Sequence, residues 1–227
     1  MSDIHYLFLE QLRELRNPER ALGMASYHKI KREYLGLTNP QVTDLTTAWR
    51  QELTIDKRVA VARGLWQTDI YEARLAATKL LTQARIQPDD AVWQLLQSWV
   101  PGFDSWALAD HACAAIQKRL IADPTRLDAV EAWTTSDNLW TRRAALVATL
   151  PWTKQNNPKP EELECRDRIL GWVATYATDQ KWFIQKSVAW WLRDLSKHDP
   201  QRVHDFLAEH GDHMKNFARK EASKYLK

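Results

Sequence analysis

Five segments of this chain share one frame. They are YEARLAATKLL from Tyr71, WALADHACAAI from Trp106, WTRRAALVATL from Trp140, FIQKSVAWWL from Phe183 and FARKEASKYL from Phe217. Each opens on an aromatic residue and continues with small and aliphatic residues at helical spacing. Four of them carry a cation three residues after the aromatic, namely Arg74, Arg143, Lys186 and Lys220; the segment from Trp106 lacks it. The starts at 71, 106, 140, 183 and 217 give spacings of 35, 34, 43 and 34 residues. In helical sequence a period of this size means stacked helix pairs, because one pair alone cannot bury its apolar face. The expected fold is therefore all-α, a HEAT-like helical repeat solenoid forming a single domain over residues 1–227. Such stacks curve, and their concave face is an extended binding surface. The recurring cation would set a row of positive charge along that face. Solvated helix faces or packing salt bridges explain the pattern equally well.

The rest of the chain agrees with a helical reading. No run alternates apolar and polar residues as a half-buried strand would. Asp69 is placed to cap a helix running to about residue 84, with Ala73, Ala76, Ala77, Leu80 and Leu81 on one face. Ser136 or Asp137 opens a helix that Pro151 ends, and Asp179 opens one that stops before Asp199-Pro200. The stretch 153–161 reads as a loop between repeats. With only 6 glycines in 227 residues, glycine-rich phosphate loops are not expected. Cys113 and Cys165 have no metal-like spacing, and a reduced compartment is the simplest reading. No secretion signal or run of about 18 apolar residues is found, so a cytoplasmic protein without a membrane span is expected. The net charge of +3 permits nucleic-acid binding without demanding it. The 12 tryptophans are the unusual number. Roughly two thirds of them are expected as core fillers, and position on each helix must find those that line a ligand surface.

The familiar catalytic signatures are absent: no HExxH, GxSxG, Walker loop or Cys–His zinc spacing. The segment 104–120 carries a constellation instead. Its apolar stripe is Leu108, Ala112, Ala115 and Ile116, while Trp106, Asp110, Cys113 and Gln117 share a different face. Trp106 and Asp110 are thus neighbours one turn apart, away from the core stripe. A π-face beside a carboxylate suits a cationic ligand; an ion pair to an adjacent repeat and a Trp under a loop is the competing reading. On the helix from Asp179 the apolar stripe is Ile184, Val188, Trp191, Leu192 and Leu195, which makes Trp191 a core residue and leaves Trp190 off the stripe. On the helix before Pro151, Arg142 points away from the stripe and Arg143 sits at its edge, suited to a phosphate or to a buried carboxylate.

Taken together, SDNLWTRRAALVATLPW, KWFIQKSVAWWLRDLSKHDP and FARKEASKYL resemble the matching segments of the AlkD-like DNA alkylation repair glycosylases, which are built of HEAT-like repeats. The likeness runs from about residue 65 to the C-terminus and more weakly through the N-terminal third. It implies roles for individual positions. The family's Trp, followed four residues later by an essential Asp, matches Trp106 and Asp110. Its phosphate-contacting Arg, in an Arg-Ala-Ala context, matches Arg143. Its second DNA-facing Trp, four residues after a Lys, matches Trp190 after Lys186. A family Tyr near the start of the second helix matches Tyr27. Two departures stand out: the segment after that Tyr is often Phe-rich in the family but reads HKIKREYLGL here, and Ala107 follows Trp106.

The resemblance implies a DNA glycosylase that hydrolyses the N-glycosidic bond of cationic alkylated purines of the 3-methyladenine and 7-methylguanine type. Asp110, Trp106 and Trp190 would be catalytic, and Arg143, Lys186, Lys220 and Tyr27 would bind DNA. It implies no metal or organic cofactor. The expected partner is duplex DNA containing alkylated bases, met by a monomer. Two other classes remain open from the sequence: a non-catalytic binder of DNA structure, and a protein-binding helical scaffold.

Overall fold

The computed structural model describes residues 4–226, and those residues form thirteen α-helices joined by turns, short 3-10 segments and one isolated β-bridge. In order these are α1 (His5–Glu14), α2 (Pro18–His28), α3 (Asn39–Glu52), α4 (Ile55–Gln67), α5 (Tyr71–Leu80), α6 (Asp90–Trp99) and α7 (Trp106–Ala122). They continue as α8 (Leu127–Trp133), α9 (Leu139–Ala148), α10 (Pro160–Ala177), α11 (Trp182–Leu195), α12 (Pro200–His210) and α13 (Asn216–Ala222). The five framed segments coincide with α5, α7, α9, α11 and α13, each beginning at the frame's aromatic or one residue before it. The aromatic thus marks where the second helix of each pair begins. Among the described residues no helix is long and apolar enough to cross a membrane.

Internal contacts divide the chain into two compact units, Met1–Arg119 and Leu120–Lys227. In the first, α5 packs against both α3 and α4, and α1 closes over α4. In the second, α11 lies between α9 and α13. The stripes read from periodicity are buried: Leu108, Ala112, Ala115 and Ile116 on α7, and Ile184, Val188, Trp191, Leu192 and Leu195 on α11. Burying each large aliphatic side chain contributes roughly 1.5–3 kcal/mol, so these stripes fix the rotation of each helix. Eight of the twelve tryptophans are buried (Trp49, Trp66, Trp93, Trp99, Trp133, Trp152, Trp172 and Trp191), while Trp106 and Trp182 are exposed.

Helix starts differ from the expected residues in three places. Asp69 does not cap α5: it sits in the left-handed region at φ 57°, and its carboxylate pairs with Arg32 and Arg74 instead. Helix α9 is capped by Asn138, whose side chain accepts the Trp140 N–H, rather than by Ser136 or Asp137. Helix α11 starts after Lys181; Asp179 lies two residues before Lys181, accepting its N–H and pairing with Arg142. Helix α5 also stops at Leu80 and not near 84, and beyond its end the buried Arg119 guanidinium donates to the carbonyls of Gln83, Ala84 and Ile86. The loop after residue 153 is held the same way: buried Arg166 donates to the carbonyls of Trp152 and Gln155 and pairs with Asp199.

Candidate active site

In the first unit the site is assembled around a loop that has no regular structure. Helix α2 is capped by Asn17, which accepts the Arg20 N–H at 2.9 Å, and it ends at His28 because Lys29 turns left-handed at φ 56°. None of its residues is buried, so its C-terminal turn presents Tyr27, 70% exposed, and His28 to the surroundings. The chain then runs through residues 29–38 to α3. Fully buried Glu72, in the first turn of α5, accepts the backbone N–H groups of Leu35 at 2.9 Å, Gly36 at 2.7 Å and Leu37 at 3.2 Å. A carboxylate there also complements the positive end of the α5 dipole. The Glu33 carbonyl accepts the Tyr71 N–H at 3.0 Å, which completes the clamp. Gly36 is obligatory in this loop: its φ is +83°, and a Cβ would lie 2.1 Å from the Asn17 carbonyl oxygen.

The clamp brings five rings together. His28 stacks on Tyr71 at 4.7 Å and on Tyr34 at 5.8 Å, and Tyr34 and Tyr71 stack on each other at 5.4 Å. Trp106 meets the same cluster from the start of α7. It lies 6.1 Å from His28 and 6.2 Å from Tyr27, nearly perpendicular to the Tyr27 ring. Tyr27 and Trp106 therefore form a corner whose inner end is His28. Trp106 is 36% exposed, and Asp110, one turn further along α7, is half-buried. Behind the rings, Arg32 pairs with Asp104 and with Asp69 at 3.2 Å, and Arg74 reaches Asp69 at 3.1 Å. Burial, and then the Arg32 cation, push the His28 pKa below its ordinary value. Burial above all pushes the Tyr71 hydroxyl up to about 12. At neutral pH the cluster is an uncharged aromatic surface. Of the residues singled out from the sequence, the structure joins Tyr27, Trp106 and Asp110 in this unit. Cys113, read as sharing their face, is fully buried.

The second unit holds the remaining candidates. Trp190 is half-buried and donates its indole N–H to Asp194 at 3.1 Å, whereas Trp191 is fully buried. Arg143 is 5% exposed and donates to the Phe183 carbonyl at 3.0 Å, at the start of α11. A guanidinium has five N–H donors, so this bond ties α9 to α11 without defining the whole of the group's surroundings. Arg142 is occupied by the carbonyls of Ser136 and Asp137 and by Asp179. Lys186 is exposed with its ammonium 4.5 Å from the centre of the Trp182 ring, and Lys220 is exposed on α13. Trp182, 50% exposed, also contacts Phe183 and Phe217.

Sequence reasoning missed His28, Tyr34 and Tyr71 as members of the ring cluster, the Arg32–Asp69–Asp104 network, and Glu72 as the clamp. Tyr71 occupied the same frame position as Trp106, which was the available signal. Its contact with His28 spans 43 residues of sequence, which periodicity does not report. Among the described residues no group of three His, Cys, Asp or Glu side chains could hold a metal ion.

The fold is helical throughout the described residues, with an exposed Trp106 and Asp110 one turn apart on α7. The chain belongs to the family described as DNA alkylation repair enzyme, whose model matches residues 8–226. Solved structures agree. A predicted DNA alkylation repair enzyme from Enterococcus faecalis is similar with a TM-score of 0.76 and 25% identity, covering 93% of this chain and 96% of that one. AlkD2 from Streptococcus mutans is similar in fold, with a TM-score of 0.63 and 23% identity over 83% of this chain and 90% of that one. No curated protein matches the chain at a significant level.

Proposed function

We propose that the protein is a DNA glycosylase that releases cationic alkylated purines from duplex DNA. The observation that carries this reading is the placement of Asp110 one turn after Trp106 on α7, the helix whose first residue forms one wall of the aromatic corner. An alkylated purine such as 7-methylguanine already bears positive charge, so it leaves without prior protonation by a general acid. Breaking the bond between C1′ and the purine nitrogen returns the bonding pair to the base and neutralises it. Positive charge passes to the sugar, water adds to C1′, and one proton of that water is released. The Asp110 carboxylate stabilises the sugar cation and orients the water. Trp106 and Tyr27 offer π-faces to the cationic nucleotide. In the second unit, Trp190 offers a further indole face to DNA, and Lys186, Lys220 and Arg143 are the candidates for phosphate contacts. The protein acts as a monomer on DNA, without a cofactor, in the cytoplasm.

The test is single-turnover excision of 7-methylguanine and 3-methyladenine from a duplex by the wild type and by Asp110→Asn. The variant is expected to lose roughly 100-fold or more in rate, the usual cost of one electrostatic transition-state contact, while keeping its affinity for DNA. Near-wild-type excision by Asp110→Asn would remove the carboxylate from the mechanism. DNA binding without excision by the wild type would make the protein a binder of DNA structure.

A further inference from the structure

The ring cluster at the end of α2 holds one histidine, His28, among three tyrosines and Trp106. We propose that His28 is a specificity-determining residue: its uncharged imidazole closes the inner end of the corner between Tyr27 and Trp106, and the corner accepts a cationic nucleotide only in that state. The inference rests on the glycosylase reading for its substrate, and on geometry for its residue.

The geometry is specific. The His28 ring contacts four others: Tyr27 at 5.1 Å, Tyr71 at 4.7 Å, Tyr34 at 5.8 Å and Trp106 at 6.1 Å. It therefore touches both walls of the corner and both rings behind it. Its surroundings come from every element packed against it. Helix α2 supplies Tyr27, and the clamped loop supplies Arg32 and Tyr34. Helix α5 and the turn before it supply Tyr71, Glu72 and Asp69; α7 and the residues before it supply Trp106 and Asp104. The carboxylates are all engaged, Glu72 by three backbone amides and Asp69 and Asp104 by Arg32. Arg32 is the charge that His28 feels, and it acts together with burial to oppose protonation. A proton on His28 would put a positive charge in direct ring contact with Trp106. That charge would face a nucleotide whose recognition depends on being positive itself, and like charges at such separations repel strongly where water is excluded. Neutral or anionic ligands would not be repelled, so the protonation state of His28 separates cationic ligands from the rest.

The test uses the full chain and two readouts between about pH 5 and 8, where only a histidine among unperturbed side chains changes charge. The first is single-turnover excision of 7-methylguanine, corrected for spontaneous loss. Wild-type rate is expected to fall by about tenfold per pH unit below the His28 pKa. His28→Phe keeps the ring stack and cannot charge, so its rate, relative to its own value at pH 8, is expected to stay flat on acidification. The second readout is the affinity ratio for a duplex bearing a cationic pyrrolidine in place of one sugar over one bearing neutral tetrahydrofuran. That ratio is expected to fall on acidification for the wild type and to stay constant for His28→Phe. His28→Gln, equally unable to charge, replaces the Phe variant if the latter fails to fold. An identical acid limb in wild type and variant, or a wild-type binding ratio that ignores pH, overturns the role of His28. Absence of excision at every pH, with the binding ratio still responding to pH through His28, overturns the glycosylase reading alone.

Discussion

Trp190 and Trp191 are consecutive, yet helix geometry turns their side chains about 100° apart, and the structure gives them opposite environments. Trp191 is fully buried on the stripe with Ile184 and Val188, and its indole N–H has no acceptor among the described residues. Trp190 is half-buried and donates to Asp194, a carboxylate that Arg193 and Lys197 also contact. Trp191→Ala is therefore expected to behave as a core deletion costing about 3–5 kcal/mol. Trp190→Ala removes one hydrogen bond to a charged acceptor, worth about 1.5–3 kcal/mol, and leaves Asp194 its other partners, so its loss of stability should be the smaller. Excision should show the reverse order, because only Trp190 has a face turned off the core. Thermal melts and single-turnover rates on the two variants check both halves. A larger melting loss in Trp190→Ala, or a larger rate loss at matched folded fraction in Trp191→Ala, would remove Trp190 from the DNA side.

Helix α5 does more than pack. Through Glu72 it positions a loop of the neighbouring chain segment, and through Tyr71 it supplies a ring to the candidate site. Glu72→Ala would leave three buried N–H groups without their acceptor, each costing about 1–3 kcal/mol. Glu72→Gln keeps one acceptor oxygen and loses the charge, so it should cost less. Both variants are expected to speed hydrogen exchange at Leu35, Gly36 and Leu37, and the Ala variant to lower excision by displacing Tyr34 and His28. Unchanged exchange at those three amides in Glu72→Ala would show that the loop is held by something else. This element also marks the boundary of what could be read in advance. The start of α5 and the facing of Ala73, Ala76 and Leu80 followed from periodicity, because a 3.6-residue repeat reports rotation directly. The roles of Asp69 and Glu72 did not follow. Asp69 looked like a cap and is a left-handed turn residue paired to two arginines; Glu72 looked like an ordinary first-turn acid and is a buried clamp. Both depend on partners more than thirty residues away or on backbone that no repeat encodes. The same holds for the candidate site: Trp106 beside Asp110 was legible along one helix, whereas Tyr27, matched by resemblance to a Tyr near the start of the second helix, lies in the last turn of α2, and its contact with Trp106 was not read. His28 against Tyr71 was not legible at all.

At the scale of the whole molecule, stability should respond to acid in two separate windows, one in each unit. In the first unit, His28 and His111 both have pKa values lowered, chiefly by burial, and then by Arg32 and by Lys79 respectively. Between the ordinary histidine value near 6.5 and those lowered values, the unfolded chain binds more protons than the folded one, so stability falls as pH falls. Below the folded values the loss is complete and levels off. In the second unit, Glu131 and Glu221 have pKa values lowered, first by hydrogen bonds from Arg168 and Arg193. Their contribution is intact above about 4.5 and is lost as pH falls through the folded values; both are solvent-accessible and so contribute little. The first unit is therefore expected to weaken as pH falls below about 6.5, while the second keeps its stability until below about 4.5. Hydrogen exchange at pH 7.5, 5.5 and 4 resolves the two, with protection lost first in α5 and α7 and only later in α9, α11 and α13. A His28→Gln, His111→Gln double variant should remove the upper window and leave the lower one. Simultaneous loss of protection in both units near pH 6, or an upper window that persists in the double variant, would show that the buried histidines do not govern it.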